Sequence, residues 1–162
     1  MSLDAERRRA LLAHPAGWIA SGFGSGFSPF ASGTAGSAAA LIPWLALREL
    51  SPVWYALAIV VAFAIGVWAS TFVIRTLRIE DPGVVVWDEF VGQWIALLPA
   101  LVAPWWAVVL GFALFRVFDV WKPWPIAWFD RRVKGGLGVM LDDVIAGIFA
   151  GIVLYLILFF AR

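Results

Sequence analysis

The residues best suited to chemistry are acidic side chains in or beside apolar segments. Six of the eleven acidic residues are placed in this way: Asp81, Asp88, Glu89, Asp119, Asp142 and Asp143. A carboxylate at the centre of a membrane helix costs roughly 2.5–3.5 kcal/mol. The helix dipole favours a carboxylate at the helix N-terminus by roughly 0.3–1 kcal/mol. This effect can explain one aspartate at such a position, but it does not explain two adjacent ones, Asp142 and Asp143. The adjacent pair therefore indicates a functional site.

Cations accompany these carboxylates. Arg116, Asp119 and Lys122 recur every three residues, which predicts one face of a helix that stops at Pro123. By itself the series could be a surface salt-bridge ladder. Beside further carboxylates it becomes a site for phosphate and metal, because Mg²⁺ prefers hard oxygen ligands and often binds through a few carboxylates plus substrate phosphate.

Two further motifs have both a structural and a functional interpretation. Asp88 and Glu89 lie at the start of a predicted helix. Their presence there is explained equally well by a favourable interaction with the helix dipole and by ligand binding. Residues 33–37 (GTAGS) precede a helical run. The backbone of Gly33 and Gly36 could approach an anion there, with hydroxyls from Thr34 and Ser37, although small residues in membrane helices more often serve close packing.

The composition predicts a membrane protein. Of 162 residues 63% are hydrophobic and 14% charged, and the mean hydropathy is +0.91, beyond the range of ordinary soluble domains. The absence of cysteine excludes thiolate nucleophiles and cysteine metal sites, and the single histidine, His14, argues against histidine-pair zinc sites and paired-histidine phosphatases. A net charge of +1 with only short basic runs predicts no nucleic-acid partner.

Hydrophobicity predicts an all-α, polytopic membrane bundle with short or re-entrant helices. Uncharged stretches cover residues 33–47, 53–74, 90–115 and 144–161. The third stretch contains Pro99 and Pro104, and a hairpin bent there returns the chain to the side of Arg7–Arg9, as the positive-inside bias favours. Residues 1–14 are expected to form an amphipathic helix at the cytoplasmic surface. Glycine-rich residues 15–37 are expected to form a buried loop or re-entrant segment.

The motifs resemble the phosphatidylglycerophosphatase A family. The resemblance lies in SGTAGS (32–37), DPGVVVWDEFVGQWIAL (81–97), FRVFDVWKPWPI (115–126) and GGLGVMLDDVIAGI (135–148). It implies one domain over residues 1–162, in the bacterial inner membrane, with its active site facing the cytoplasm. It further implies Mg²⁺-dependent hydrolysis of phosphatidylglycerophosphate to phosphatidylglycerol and phosphate. The oligomeric state stays open, including a homo-oligomer.

The expected roles follow from the residue types. The carboxylates would hold one or two Mg²⁺ ions and activate water: Asp88, Glu89, Asp119, Asp142 and Asp143. Arg116 and Lys122 would bind the phosphomonoester, assisted by the loop at Gly33, Gly36 and Ser37. Direct attack by water and a covalent intermediate on aspartate or on Thr34 are both open. The alternative function is an ion-coupled transporter that uses the same carboxylates.

Overall fold

The computed structural model describes residues 4–161, so residues 1–3 of the predicted N-terminal helix lie outside the described part. The described residues form helices and no strand, which confirms the all-α prediction. The helices are α1 (Ala5–Leu12), α2 (Pro15–Ala20), α3 (Ser32–Ala39), α4 (Leu41–Leu47), α5 (Pro52–Leu77), α6 (Trp87–Ala96), α7 (Trp105–Trp121), α8 (Ile126–Arg132) and α9 (Gly135–Phe160). That residues 1–162 form one domain stays a prediction.

Helices α5 and α9 are long and apolar enough to cross a membrane. Each has 26 residues, or about 39 Å at 1.5 Å per residue, against roughly 30 Å of hydrocarbon. α5 begins at Pro52, where a missing N–H is harmless, and ends where Arg78 adopts a left-handed conformation with φ of 56°. Both helices expose large apolar side chains on their outer faces. The architecture is that of a membrane helical bundle.

The chain from α6 to α7 forms the predicted helical hairpin. α6 ends at Ala96, a 3₁₀ turn covers Leu98–Ala100, and Pro104 is extended before α7 begins. Arg48 donates a hydrogen bond from Nη2 to the carbonyl oxygen of Leu101 at 2.9 Å and thereby holds the hairpin tip. α6 has ten residues, about 15 Å, so it is too short to span the bilayer. Because the chain reverses direction at the hairpin, the start of α6 lies beside the end of α7.

Hydrogen bonds from aromatic side chains fix the position of α6. The indole N–H of Trp87 donates to the carbonyl of Ala62 at 2.9 Å, and that of Trp94 to the carbonyl of Ala40 at 2.8 Å. The Tyr55 hydroxyl donates to the carbonyl of Trp94 at 2.7 Å. Because Trp87 and Trp94 lie seven residues apart, they share one face of α6. The two carboxylates that follow Trp87 therefore point toward other neighbours.

Glycines allow α6 and α9 to pack backbone against backbone. A Cβ built on Gly147 would lie 2.4 Å from the carbonyl oxygen of Gly92. A Cβ on Gly92 would lie 2.5 Å from the Phe115 ring and 2.7 Å from the carbonyl oxygen of Asp143. Only glycine on both helices permits this approach. It brings the first turn of α6 against Asp143.

The N-terminal third is more helical than its composition predicts. Of the two alternatives for residues 15–37, the buried loop is wrong, because α2 and α3 account for much of this range, whereas the re-entrant segment stays a prediction. His14 Nδ1 accepts a hydrogen bond from the Ala16 N–H at 3.1 Å, and Pro15 starts α2 without losing a donor. The apolar run 33–47 is divided at Ala40 into α3 and α4.

Candidate active site

One cavity of about 370 Å³ lies among the start of α6, the end of α7 and the first turns of α9. Its lining includes Lys122 and all the carboxylates proposed as ligands: Asp88, Glu89, Asp119, Asp142 and Asp143. These residues come from three separate segments of the sequence. The fold therefore brings together the groups that the sequence analysis assigned to one site. We call this space the acidic cavity.

Three of the carboxylates form a tight group. Asp88, Glu89 and Asp143 each contribute one oxygen, and these oxygens lie within 4.8 Å of one another. Asp143 is 3% exposed, and the Glu89 side chain is 12% exposed. Buried oxygens of all three, Oδ1 of Asp88, Oε2 of Glu89 and Oδ2 of Asp143, have no hydrogen-bond partner among the described residues. Unpaired buried carboxylates are costly and repel one another, so this set fits a hard divalent cation such as Mg²⁺.

The position of Asp142 and Asp143 in α9 argues against simple helix capping. α9 begins at Gly135, so the two aspartates are its eighth and ninth residues, about two turns from its start. The favourable effect of the helix dipole on a carboxylate is confined to the first turn. The structure leaves Asp143 without that compensation.

Arg116 does not line the acidic cavity but holds two of its carboxylates through ion pairs, so its predicted contact with substrate stays a prediction. Its Nη1 lies 2.6 Å from Asp119 Oδ2 and 4.0 Å from Glu89 Oε1, and it donates to Ser37 Oγ at 3.2 Å. Ser37 in turn donates to the carbonyl of Gly33 at 2.9 Å. A Cβ on Gly33 would lie 2.4 Å from Glu89 Oε1, so glycine is needed for α3 to approach. Arg116 therefore links α3, α6 and α7.

All five residues of the GTAGS motif lie outside the lining of the acidic cavity, so the predicted phosphate contacts of Gly33, Gly36 and Ser37 stay predictions. Thr34 is exposed on α3 and does not line the cavity. Gly36 packs against Val86, which a Cβ would approach to 2.6 Å. Ser32 does line the cavity, although the sequence analysis did not assign it to the site. A nucleophilic role for Thr34 stays a prediction that no contact supports.

Lys122 departs from the predicted helical face. It ends α7 in a left-handed conformation with φ of 45°, just before Pro123, so its placement on one face with Arg116 and Asp119 is wrong. Its Nζ donates to Asp142 Oδ2 at 2.5 Å and to Asp130 Oδ1 at 2.8 Å. Burial lowers the pKa of Lys122, but these hydrogen bonds and charges outweigh burial and raise the pKa above its ordinary value. Lys122 is therefore held as a cation.

Asp130 is a site residue that the sequence analysis missed. It lies on α8 among Trp128, Phe129 and two arginines, with no spacing that relates it to Asp142. Its contact with Lys122 exists because the chain turns back between α7 and α9. In the sequence, the one feature that could have pointed to Asp130 is its position before Arg131 and Arg132. That pattern is equally typical of an ordinary surface helix.

If the site carries out the hydrolysis that the family resemblance implies, replacing Arg116 with Lys is expected to lower its rate by about 10- to 100-fold. The guanidinium contacts Asp119, Ser37 and Glu89 together, and an ammonium lacks the planar fork needed for this arrangement. Initial rates of phosphate release from a lipid phosphomonoester would measure the loss. Arg75→Lys is the matched control, because Arg75 contacts none of these three side chains. Equal activity of both variants would show that the fork geometry is unimportant.

The comparisons with known proteins agree with the resemblance found in the sequence. The family model described as phosphatidylglycerophosphatase A matches residues 18–158. Phosphatidylglycerophosphatase A of Escherichia coli is 42% identical over 154 residues, which cover 95% of this chain and 90% of that protein. The Haemophilus influenzae protein of the same name is 38% identical and covers 93% of each chain.

A third relative has a different name. A Bacteroides thetaiotaomicron protein, provisionally named a phosphatidylinositol-3-phosphatase, is 47% identical over 143 residues, which cover 84% of this chain and 89% of that protein. No solved structure matches the chain significantly. None of these relatives is named a transporter, so the alternative function gains no support. The family match and the extent of the identities establish that the chain belongs to the phosphatidylglycerophosphatase A family.

Proposed function

We propose that this protein is a Mg²⁺-dependent lipid phosphatase that hydrolyses phosphatidylglycerophosphate to phosphatidylglycerol and inorganic phosphate. The observation that carries the proposal is the group of Asp88, Glu89 and Asp143, whose unpartnered oxygens meet in a cavity at one end of a membrane bundle. The names of the Escherichia coli and Haemophilus influenzae relatives support the choice of substrate.

Asp88, Glu89 and Asp143 would hold the metal ion. Their donors are all carboxylate oxygens, the ligand type that Mg²⁺ prefers. When bound, Mg²⁺ acts as a Lewis acid toward the phosphoryl oxygens and offsets the charge that grows there. The metal also relieves the mutual repulsion of the three carboxylates, which explains how they can be kept together in a mostly buried place.

The remaining residues bind and orient the substrate. Lys122 has three N–H donors, and Asp130 and Asp142 take two of them, which leaves one for a phosphoryl oxygen. Asp142 Oδ1 is buried and has no partner among residues 4–161, so it is suited to accept the proton of the attacking water. The water oxygen bonds to phosphorus as the bond from phosphorus to the glycerol oxygen breaks, and the glycerol oxygen takes up one proton in exchange for the one that Asp142 accepts. Arg116 keeps Glu89 and Asp119 in place.

The distribution of cations supports a cytoplasmic active site in the bacterial inner membrane. Arg48, at the hairpin tip, is the one Lys or Arg of the described range that lies at the end of the bundle away from the acidic cavity. The others precede α2, lie in the last turns of α5, α7 and α8, or directly follow these helices, at the cavity end. Positively charged loops stay on the cytoplasmic side of membranes. The phosphomonoester would then be presented from the cytoplasmic leaflet.

Removal of divalent metal is expected to reduce phosphate release at least 100-fold, because the acidic group would then repel the substrate phosphate. The assay uses purified protein in mixed micelles with phosphatidylglycerophosphate, and Mg²⁺ is titrated after EDTA treatment. Binding has a second readout, since Mg²⁺ should raise the thermal unfolding temperature of the metal-free protein.

Full activity after EDTA treatment would contradict the metal assignment. Phosphate release from phosphatidylinositol 3-phosphate but not from phosphatidylglycerophosphate would overturn the substrate assignment in favour of the activity named for the Bacteroides thetaiotaomicron relative. Ion flux in proteoliposomes without phosphate release from either lipid would instead favour the transporter.

A further inference from the structure

A second cavity, of about 620 Å³, adjoins the acidic cavity. Ser32, Asp81 and Gly83 line both spaces, so the two cavities share a wall. The remainder of the second cavity is formed partly by apolar side chains, among them Phe27 and Leu77. None of the residues that line it alone was assigned a role by the sequence analysis or in the hydrolytic mechanism. We call it the Arg8 cavity, after the cation in its lining.

Arg8 supplies the positive charge in this second space. Its guanidinium carbon lies 4.5 Å from the centre of the Phe27 ring, a cation–π contact that orients the side chain. The adjacent Arg7 pairs with Asp4 at 3.6 Å, whereas Arg8 has no ion-pair partner among residues 4–161. Arg8 is therefore an oriented cation that is available to an anionic ligand.

Gly83 lies on the wall that the two cavities share and adds no side chain to it. A Cβ built on Gly83 would contact Ser32 Oγ at 3.9 Å and would meet no other heavy atom within 4 Å. The wall thus has space for about one methyl-sized group beside Ser32, and a branched side chain at position 83 would fill it. A ligand that extends along this wall would contact both cavities.

We propose that the Arg8 cavity binds the phosphodiester of the lipid substrate while the acidic cavity holds its terminal phosphomonoester. This inference rests on the proposed function. The two phosphorus groups of such a lipid are joined by one glycerol, a short linker that suits two cavities with a common wall. The lining of the Arg8 cavity contains one cation, Arg8, and one carboxylate, Asp81. Asp81 repels an anion, so Arg8 is the residue of this lining that can pair with the phosphodiester.

The apolar walls complete the fit. Phe27 and Leu77 line the Arg8 cavity, and Leu77 is the last residue of the apolar helix α5. The glycerol backbone and first methylenes of the acyl chains can therefore leave the phosphodiester toward the bilayer along apolar side chains. The enzyme would select lipids that carry a phosphodiester one glycerol away from the phosphomonoester.

The test compares Arg8→Gln with Arg9→Gln in mixed micelles. Arg9 is the matched control, because it lies on the same helix, carries the same charge and lines neither cavity. Arg8→Gln should raise the KM for phosphatidylglycerophosphate about five- to tenfold, the range expected for one partly exposed charge-assisted contact. It should raise the inhibition constant of the product phosphatidylglycerol, which retains the phosphodiester, by a similar factor.

Inhibition by inorganic phosphate separates this subsite from the acidic cavity. Phosphate binds only where the phosphomonoester does, so its inhibition constant should be the same for Arg8→Gln and wild type. Gly83→Val should weaken inhibition by phosphatidylglycerol in the same way, since its branched side chain fills the space beside Ser32 on the shared wall. Equal effects of Arg8→Gln and Arg9→Gln, or a parallel change in phosphate inhibition, would overturn the inference. Absence of phosphate release by wild type would instead refute the proposed function.

Discussion

Replacing Asp143 with Asn is expected to lower kcat for phosphate release by about 1000-fold, equivalent to about 4 kcal/mol of activation free energy. Asp143 is the most buried member of the group of three carboxylates and contributes an unpartnered oxygen to it. An amide has nearly the same shape but loses the negative charge that holds a divalent cation. Steady-state rates with phosphatidylglycerophosphate at saturating Mg²⁺ would measure the change.

The same substitution should leave the fold intact. It removes one of three mutually repelling buried charges, so the metal-free variant should unfold about 2–4 °C above the metal-free wild type, a difference of about 1 kcal/mol. The increase in unfolding temperature on adding Mg²⁺ should be much smaller than in wild type. Loss of activity together with this stability pattern would separate a ligand role from a structural one.

Glu80→Gln is the matched control for Asp143→Asn. Glu80 also lines the acidic cavity, but its side chain is 81% exposed and pairs with Lys134 at 3.6 Å. Its neutralisation removes the same charge without touching the group of three, and activity should stay within about twofold of wild type. Full activity of Asp143→Asn, or equal losses in both variants, would contradict the ligand assignment.

Adding one methyl group at Gly147 is expected to lower activity by about 100-fold. The Cβ of Gly147→Ala would lie 2.4 Å from the carbonyl oxygen of Gly92, so α6 and α9 must separate. Asp88 and Glu89 belong to α6 and Asp143 to α9, and a displacement of about 1 Å in such a site can cost about 100-fold in rate. The overpacking should also destabilise the bundle by about 1–3 kcal/mol.

Gly151→Ala, one turn further along α9, is a graded control for Gly147→Ala. Its Cβ would lie 3.3 Å from the carbonyl oxygen of Ile95, a contact that a small shift relieves. Rates and thermal unfolding, measured side by side, should show a clearly smaller loss than for Gly147→Ala. If the two alanine variants behave alike, the close approach of α6 to α9 does not control the geometry of the carboxylates.

Sequence patterns predicted the hairpin because its determinants are local. Pro99 and Pro104 interrupt the apolar stretch, and the positive-inside bias requires the chain to return to the side of the other cations. The structure confirms the hairpin: Glu89, near its start, lies 4.0 Å from Arg116, near its end. The glycine-rich N-terminal part was predicted less well. Its helices form because tertiary packing compensates for the low helix propensity of glycine.

The carboxylates illustrate the boundary between sequence and tertiary structure. Their high cost in apolar segments marks them as functional in the sequence alone, since burial of a charge needs compensation wherever it occurs. The spacing of the carboxylates in the sequence does not show which of them contact one another. Asp88, Glu89 and Asp143 form one group. Asp119 instead pairs with Arg116, and Asp142 pairs with Lys122. That division depends on the left-handed turn at Lys122 and on distances between helices.

That this chain is a helical membrane protein with a cluster of costly carboxylates could be predicted from the residues alone, because composition, hydrophobic stretches and the cost of buried charge are properties of residues and short segments. That the cluster binds phosphate and metal stays a prediction. The tertiary structure was needed to show which carboxylates meet, that Asp130 holds Lys122 and that Arg8 lines a cavity beside the site. Those contacts join residues far apart in the sequence, and the backbone contact of Gly92 with Gly147 sets the distance between the helices that carry them.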